Sequence, residues 1–304
     1  MTEQLQWKHH GHDWPNRESS RFVRSGSLNW HVQINGSGPV MLLVHGTGAS
    51  THSWGPMLPA LAQEFTVVAV DLPGHAFTSG HTDRELTLRG MSSALSRLLH
   101  DLEVRADYSV GHSAGAAILV NMSLDQQLSA KSIISINGAL LPFRGVARAV
   151  FPTLAKLLYL NPLAPRLFAW QADNRNSVKR LLEGMGSQLD ATGVKFYARL
   201  FRSVAHVRAT TRMMALWDLE TLSRKLAELS VPLHLLAASN DQAVPAEASF
   251  TVSERVQLAT VQVVSGLGHL AHEEDPEQFV ELIRSVVADC ESSPALVGVS
   301  DVSS

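Results

Sequence analysis

The chain contains one cysteine, Cys290, so it can form neither an internal disulfide nor a cysteine-based metal site. A reducing compartment, the cytoplasm, is therefore the simpler expectation. Charged residues make up only 17% of the 304 positions and aromatic residues 6%, while 45% are hydrophobic. That balance argues against disorder over most of the length and provides for a sizeable core. No apolar run approaches the roughly 18 residues that a bilayer-spanning helix needs. The opening MTEQLQWKHHGHDWPNRESS has no apolar h-region, so no secretory signal is expected there. His9, His10 and His12 read as part of a polar arm rather than as metal ligands. The chain has no G-x-G-x-x-G opening a helix, no G-x-x-x-x-G-K-[ST] and no H-E-x-x-H, so no cofactor and no metal are expected.

The net charge of -3 hides an uneven distribution. Between Leu141 and Ala215 twelve Lys or Arg face only Asp173, Glu183 and Asp190, a balance of +9. The remainder carries 13 basic against 25 acidic residues. The acidic remainder and the lack of any binding motif argue against nucleic acid.

From Ser27 onward the pattern turns to β-structure. LNWHVQI alternates apolar and polar residues, and PVMLLVHG and FTVVAVDLPG are continuous apolar runs that suit strands buried on both faces. ADYSVG, KSIISING, VPLHLLAASND and ATVQVVSG follow, with helical stretches from Leu88 to Asp101, after Ala116 and in PEQFVELIRSVVADC. Strands alternating with helices predict an α/β fold with a mainly parallel central sheet flanked by helices. Between Asn137 and Val231 the strand rhythm stops and helical patterns take over: GVARAVFPTLAKLLYL, SVKRLLEGMG, VKFYARLFRSVAHV and ATTRMMALWDLETLSRKLAEL. Such an insertion forms a cap over the carboxyl ends of the strands, where open α/β sheets place their sites. The expected organisation is an N-terminal arm (1–26), a core (27–140 and 229–290), a helical cap (141–228) inserted after the sixth strand, and a flexible tail (291–304).

Four elements carry chemistry. Gly111-His112-Ser113-Ala114-Gly115 is a G-x-S-x-G pentapeptide between a predicted strand and a predicted helix, and its glycines permit the sharp turn that presents a nucleophilic hydroxyl. Gly266-Leu267-Gly268-His269 follows the last strand and supplies a base; His112 and His272 are weaker candidates. Asp241 ends the strand VPLHLLAASN and can orient the imidazole and stabilise its charged form. After the preceding strand stands Asn137, an amide without charge, and Asp71 precedes the serine and reads as a loop anchor. His45-Gly46-Thr47-Gly48 follows a buried strand, so the backbone N–H groups of Thr47 and Ala114 are the candidate oxyanion hole. The order Ser, Asp, His is that of α/β-hydrolases.

The likeness extends beyond these motifs. Trp14-Pro15-Asn16-Arg17, Ser19-Ser20-Arg21-Phe22, Trp30-His31-Val32-Gln33, VAVDLPGHAFT, GHSAGAA, INGALLPF, FPTLAKLLYLNP, MMALWDLE and GLGHLAHEEDPE span nearly the whole chain. In these stretches the sequence resembles the α/β-hydrolases encoded among bacteriochlorophyll-synthesis proteins and described as magnesium-chelatase accessory proteins. The resemblance implies a role in tetrapyrrole synthesis near magnesium insertion, with magnesium-chelatase subunits as partners. It leaves the bond cleaved unspecified, since this fold hosts many reactions.

The cap combines Phe143, Phe151, Tyr159, Phe168, Trp170, Met185, Phe196, Tyr197, Met213, Met214 and Trp217 with its excess of basic residues. Most of that apolar surface is expected to pack cap helices together, and part of it to line the pocket. The expected target is apolar and anionic: a porphyrin carrying propionates, or an anionic membrane surface touched peripherally. Two readings follow. One is a serine hydrolase acting on an ester or acyl bond of an apolar, tetrapyrrole-related substrate; the other is a non-catalytic porphyrin-binding accessory protein.

Overall fold

A computed structural model describes residues 2–142, 164–172 and 174–292. Eight strands form one sheet: β1 (Ser20–Ser25), β2 (Leu28–Asn35), β3 (Val40–Val44), β4 (Thr66–Val70), β5 (Tyr108–His112), β6 (Ser132–Ile136), β7 (Leu233–Ala238) and β8 (Ala259–Val264). Their order is β1-β2-β4-β3-β5-β6-β7-β8. The β1/β2 and β2/β4 pairs are antiparallel, and every pair from β4 to β8 is parallel. The mainly parallel sheet expected from the alternation of strands and helices is present, and the helical insertion follows the sixth strand.

The continuous apolar runs have a direct physical cause. In β3, Met41, Leu42, Leu43 and Val44 are all fully buried. Successive side chains leave opposite faces of a strand, so Leu42 and Val44 join the core beneath α1 (Leu88–Asp101) and α2 (Ala114–Leu124). Met41 and Leu43 join the opposite layer, with Leu58, Leu61, Phe279 and Ile283. Both faces are covered, and no polar face is needed.

The cap follows as α3 (Ala164–Gln171), α4 (Arg175–Glu183), α5 (Ala191–Phe201), α6 (Val204–Leu216) and α7 (Leu219–Lys225). The two long helical patterns expected between Val194 and Leu229 are each interrupted. Ser203 caps α6, its side chain accepting from the His206 N–H, and Asp218 caps α7 by accepting from the Thr221 N–H. The expected helix GVARAVFPTLAKLLYL lies outside the described residues. After the cap come α8 (Glu247–Ser253) and the closing helix α9 (Pro276–Ser292).

The sheet takes in residues assigned above to the arm. Strand β1 lies within residues 1–26 and pairs with β2 over its whole length. The residues before it are packed as well. Leu5 and Trp14 are buried, and the Trp14 indole N–H donates to Thr51 Oγ1 at 3.1 Å. Asp13 pairs with Arg199 and Lys195 of α5. The segment is docked through a few residues, Leu5, Asp13 and Trp14, while Gln4, Gln6, Lys8, His9 and His12 between them stay exposed, which is why its composition is polar.

Candidate active site

Ser113 stands between β5 and α2 with φ +50° and ψ -114°, a backbone geometry costly for a residue with a side chain. Two neighbours force the turn. A Cβ on Gly111 would meet Ala116 N at 2.5 Å, and one on Gly115 would meet the Val44 carbonyl oxygen at 2.0 Å. Only glycine fits either position. The Ser113 N–H donates to the Ile136 carbonyl, and its own carbonyl accepts from Ala139 N–H, so the loop after β6 fixes the serine's peptide groups.

His269 lies in the loop after β8 and Asp241 in the loop after β7. The structure brings both to Ser113. His269 Nε2 is 3.1 Å from Ser113 Oγ, and His269 Nδ1 is 2.7 Å from Asp241 Oδ2. With Asp241 ionised, Nδ1–H donates to the carboxylate and Nε2 is left to accept the serine proton. Asp241 Oδ1 accepts from the N–H groups of Ala243 and Val244, at 2.7 and 2.8 Å, which holds the carboxylate in one orientation. All three side chains are nearly closed off: Ser113 is 9% exposed, His269 7% and Asp241 4%.

Thr47 sits in the loop after β3, and a Cβ on Gly46 would come within 3.1 Å of Ser113 Cβ, so this loop runs against Ser113. Ala114 opens α2, where a backbone N–H has no intrahelical acceptor. His45 secures the loop from behind. Its Nδ1–H donates to Gly46 O at 2.7 Å while Nε2 accepts from Leu72 N–H at 3.0 Å, and burial lowers its pKa, keeping it neutral.

The weaker candidates do other work. His112 Nε2–H donates to the His269 carbonyl at 2.9 Å, and burial drives its pKa well down. His272 is fully buried against Ser53, 2.8 Å from its hydroxyl, with its pKa lowered by burial to about 3. Asp71 accepts from Thr51 and Phe77 N–H groups and pairs with His31 at 2.7 Å. Asn137 bonds the loops beside His269 rather than its ring.

Several contacts left no mark in the sequence pattern. The Met185 carbonyl, in the turn after α4, accepts from His269 N–H at 3.3 Å and from Gln242 N–H at 3.2 Å. Ser187 Oγ accepts from Leu270 N–H at 2.8 Å. From α5, Tyr197 donates to Glu273 at 2.6 Å; burial raises the Glu273 pKa to about 7 and that of Tyr197 well above its usual value. In α6, His206 Nε2–H donates to Gly48 O and its Nδ1 accepts from Ala76 N–H, both at 3.1 Å. Burial lowers the His206 pKa to about 4, which preserves this neutral bridge. Met213 lies over Thr47, its sulfur 3.8 Å from the hydroxyl.

Of the cap residues singled out above, Phe196, Tyr197 and Met213 are buried and Trp170 is 65% exposed. Phe143, Arg144, Arg148, Phe151, Lys156 and Tyr159 lie outside the described residues, as does the Phe168 side chain. Among the described residues, no cluster of three or more His, Cys, Asp or Glu side chains could hold a metal ion. None of the described helices is long and apolar enough to cross a membrane.

The sequence model of the alpha/beta hydrolase family matches residues 41–282. A "Magnesium-chelatase 30 kDa subunit" of Rhodobacter capsulatus is 36% identical over 263 residues, covering 86% of this chain and 92% of that protein. A pyrrolizixenacetamide deacetylase of Xenorhabdus hominickii is 25% identical over 276 residues, covering 86% and 96%. The crystal structure of an alpha/beta hydrolase fold protein from Burkholderia ambifaria superposes with a TM-score of 0.74 at 18% identity, covering 87% and 97%.

Proposed function

Because the chain belongs to the alpha/beta hydrolase family, we propose that it is a serine hydrolase that cleaves an ester or acyl bond of an apolar, tetrapyrrole-related substrate. The supporting observation is the unbroken run of contacts from Ser113 Oγ through His269 to Asp241, at 3.1 and 2.7 Å. Ser113 Oγ attacks the substrate carbonyl as its proton passes to His269 Nε2, and Asp241 stabilises the imidazolium. The N–H groups of Thr47 and Ala114 receive the oxyanion; each such donor contributes about 2.7–4 kcal/mol in comparable sites. The tetrahedral species collapses as His269 returns the proton to the leaving group. Water then attacks the acyl-enzyme with His269 again as base, which frees Ser113.

The substrate class rests on the relative named as a magnesium-chelatase subunit and on the cap. Phe201, Thr210 and Met213 lie on the Thr47–Gly48 loop, and they belong to the stretch from Leu141 to Ala215 in which basic residues outnumber acidic ones. A role near the magnesium-chelatase step of bacteriochlorophyll synthesis, in contact with chelatase subunits, follows from that likeness. Contact of the basic cap with an anionic membrane belongs to the same reading.

The second reading, a non-catalytic porphyrin-binding accessory protein, draws on the same relative's designation as a subunit and on the nearly closed serine. Both readings meet one test. The wild-type protein is expected to be labelled by a fluorophosphonate probe and to hydrolyse p-nitrophenyl esters. Ser113→Ala should abolish labelling and cut turnover by at least about 10³-fold. A folded wild-type protein that neither labels nor turns over, in a strain whose pigment synthesis survives Ser113→Ala, favours the accessory role.

A further inference from the structure

Asn137 follows β6 with φ +48°, a left-handed conformation that asparagine tolerates better than most residues. It is 2% exposed, and its carboxamide is fully engaged. Nδ2 donates to the carbonyls of Gly268 (3.1 Å) and His269 (2.9 Å), while Oδ1 accepts from Ala238 N–H (2.8 Å) at the end of β7. Its own N–H donates to Leu236 O. One residue before it, Ile136 O accepts from Ser113 N–H; two residues after it, Ala139 N–H donates to Ser113 O. The strand end that grips the nucleophile's peptide groups thus also grips the backbone of the base.

The His269 carbonyl receives a second donor, His112 Nε2–H at 2.9 Å, from the residue before the serine. On the other side, His269 N–H donates to Met185 O. With both peptide groups of residue 269 held, the imidazole can meet Ser113 Oγ and Asp241 Oδ2 together without the loop rearranging first. The chemistry of the donor set explains the amide. Both groups facing Nδ2 are carbonyl oxygens, so a carboxylate here would oppose two acceptors with a third, and an apolar residue would take this partner from the buried Gly268 carbonyl and Ala238 N–H and leave the His269 carbonyl only His112.

We propose that Asn137 is a positioning residue for the hydrolytic reaction, holding the His269 carbonyl so that the imidazole is aligned before the substrate arrives. This rests on the serine-hydrolase reading. Small misplacements of a reacting group cost about 10²-fold in rate, whereas binding of a small probe depends little on the imidazole.

The test uses the full chain and a fluorophosphonate probe at a range of concentrations, separating the limiting rate of Ser113 labelling from the half-saturating concentration. The variants are Asn137→Asp, which keeps the shape but reverses the hydrogen-bonding character, and the milder Asn137→Ser, which retains one donor. Thermal melts identify the folded fraction to which rates are normalised. The limiting rate is expected to fall about 10- to 100-fold in Asn137→Asp and less in Asn137→Ser, with half-saturation moving less than about threefold. A merely structural role lowers the melting temperature and leaves the normalised limiting rate unchanged, and that result in either folded variant overturns the proposal. If Asn137→Asp fails to fold, a wild-type limiting rate in Asn137→Ser overturns it alone. A wild-type protein that does not label at Ser113 defeats the hydrolase reading itself, and the positioning role with it.

Discussion

The cap meets the core along two flanks held by different chemistry. Beside His269 and Asp241, the turn from Gly184 to Gln188 is bound largely through its main-chain groups, with Ser187 Oγ the side chain that joins them. Met185 O takes two N–H donors from the loops of His269 and Asp241, and Gly186 and Gly268 touch backbone to backbone. Over the Thr47–Gly48 loop, α6 is held mainly by side chains: the His206 bridge, the Met213 contact and the Arg212–Asp83 ion pair. The first flank cannot move without displacing the imidazole. None of the contacts of the second involves Ser113, His269 or Asp241, so loosening it is expected to leave those three contacts in place.

Gly186→Val gives the largest expected effect and tries to break the fixed flank. Gly186 has φ +86°, and a Cβ there would stand 2.0 Å from Asn240 O. A β-branched residue adds strain, so a loss of about 4 kcal/mol or more is expected in denaturant unfolding, with labelling of Ser113 falling alongside. Wild-type stability and labelling would show that the turn does not brace the site.

A smaller effect comes from the joint between Tyr197 of the cap and Glu273, four residues beyond His269. Burial raises the Glu273 pKa from 4.5 to about 7 in the folded chain. Below pH about 4.5 the carboxyl is protonated in both states and exacts no penalty. As the pH rises towards 7 the unfolded chain ionises while the folded one stays protonated, so stability is lost progressively. The loss reaches about 3 kcal/mol above pH 7. Glu273→Gln removes this term, so its stability relative to wild type should rise by that amount between pH 4.5 and 8, measured by unfolding at each pH. A constant difference would contradict the assignment.

The smallest effect belongs to the α6 flank. Asp83→Asn removes the carboxylate that pairs with Arg212 near the surface, where Asp83 is 61% exposed. Stability should fall by less than about 1 kcal/mol, and Ser113 labelling should be unchanged or faster as the flank loosens. Slower labelling would place the bracing contact on the wrong side.

The same contrast explains what the sequence could disclose. Strands β3 and β4 were legible because a strand buried on both faces must be continuously apolar, and Ser113, Asp241 and His269 because each follows a stretch of strand character at the start of a loop. The packed N-terminal segment was not legible. Asp13 and Trp14 find partners at Arg199, Lys195 and Thr51, and nothing local distinguishes a polar stretch that meets charged cap residues from one that meets water. Asn137 was legible only as the absence of a carboxylate, since its use depends on the carbonyls of residues 268 and 269. The breaks at Ser203 and Asp218 could have been read from their capping side chains, but helical hydrophobicity on both sides masked them.

The most direct test of the account is the crystal structure of the fluorophosphonate adduct. The account places the phosphorus on Ser113 Oγ, a phosphoryl oxygen about 2.7–3.1 Å from the N–H groups of both Thr47 and Ala114, and the His269 imidazole still bonded to Asp241. An adduct on another residue, or a phosphoryl oxygen turned away from both amides, would contradict it.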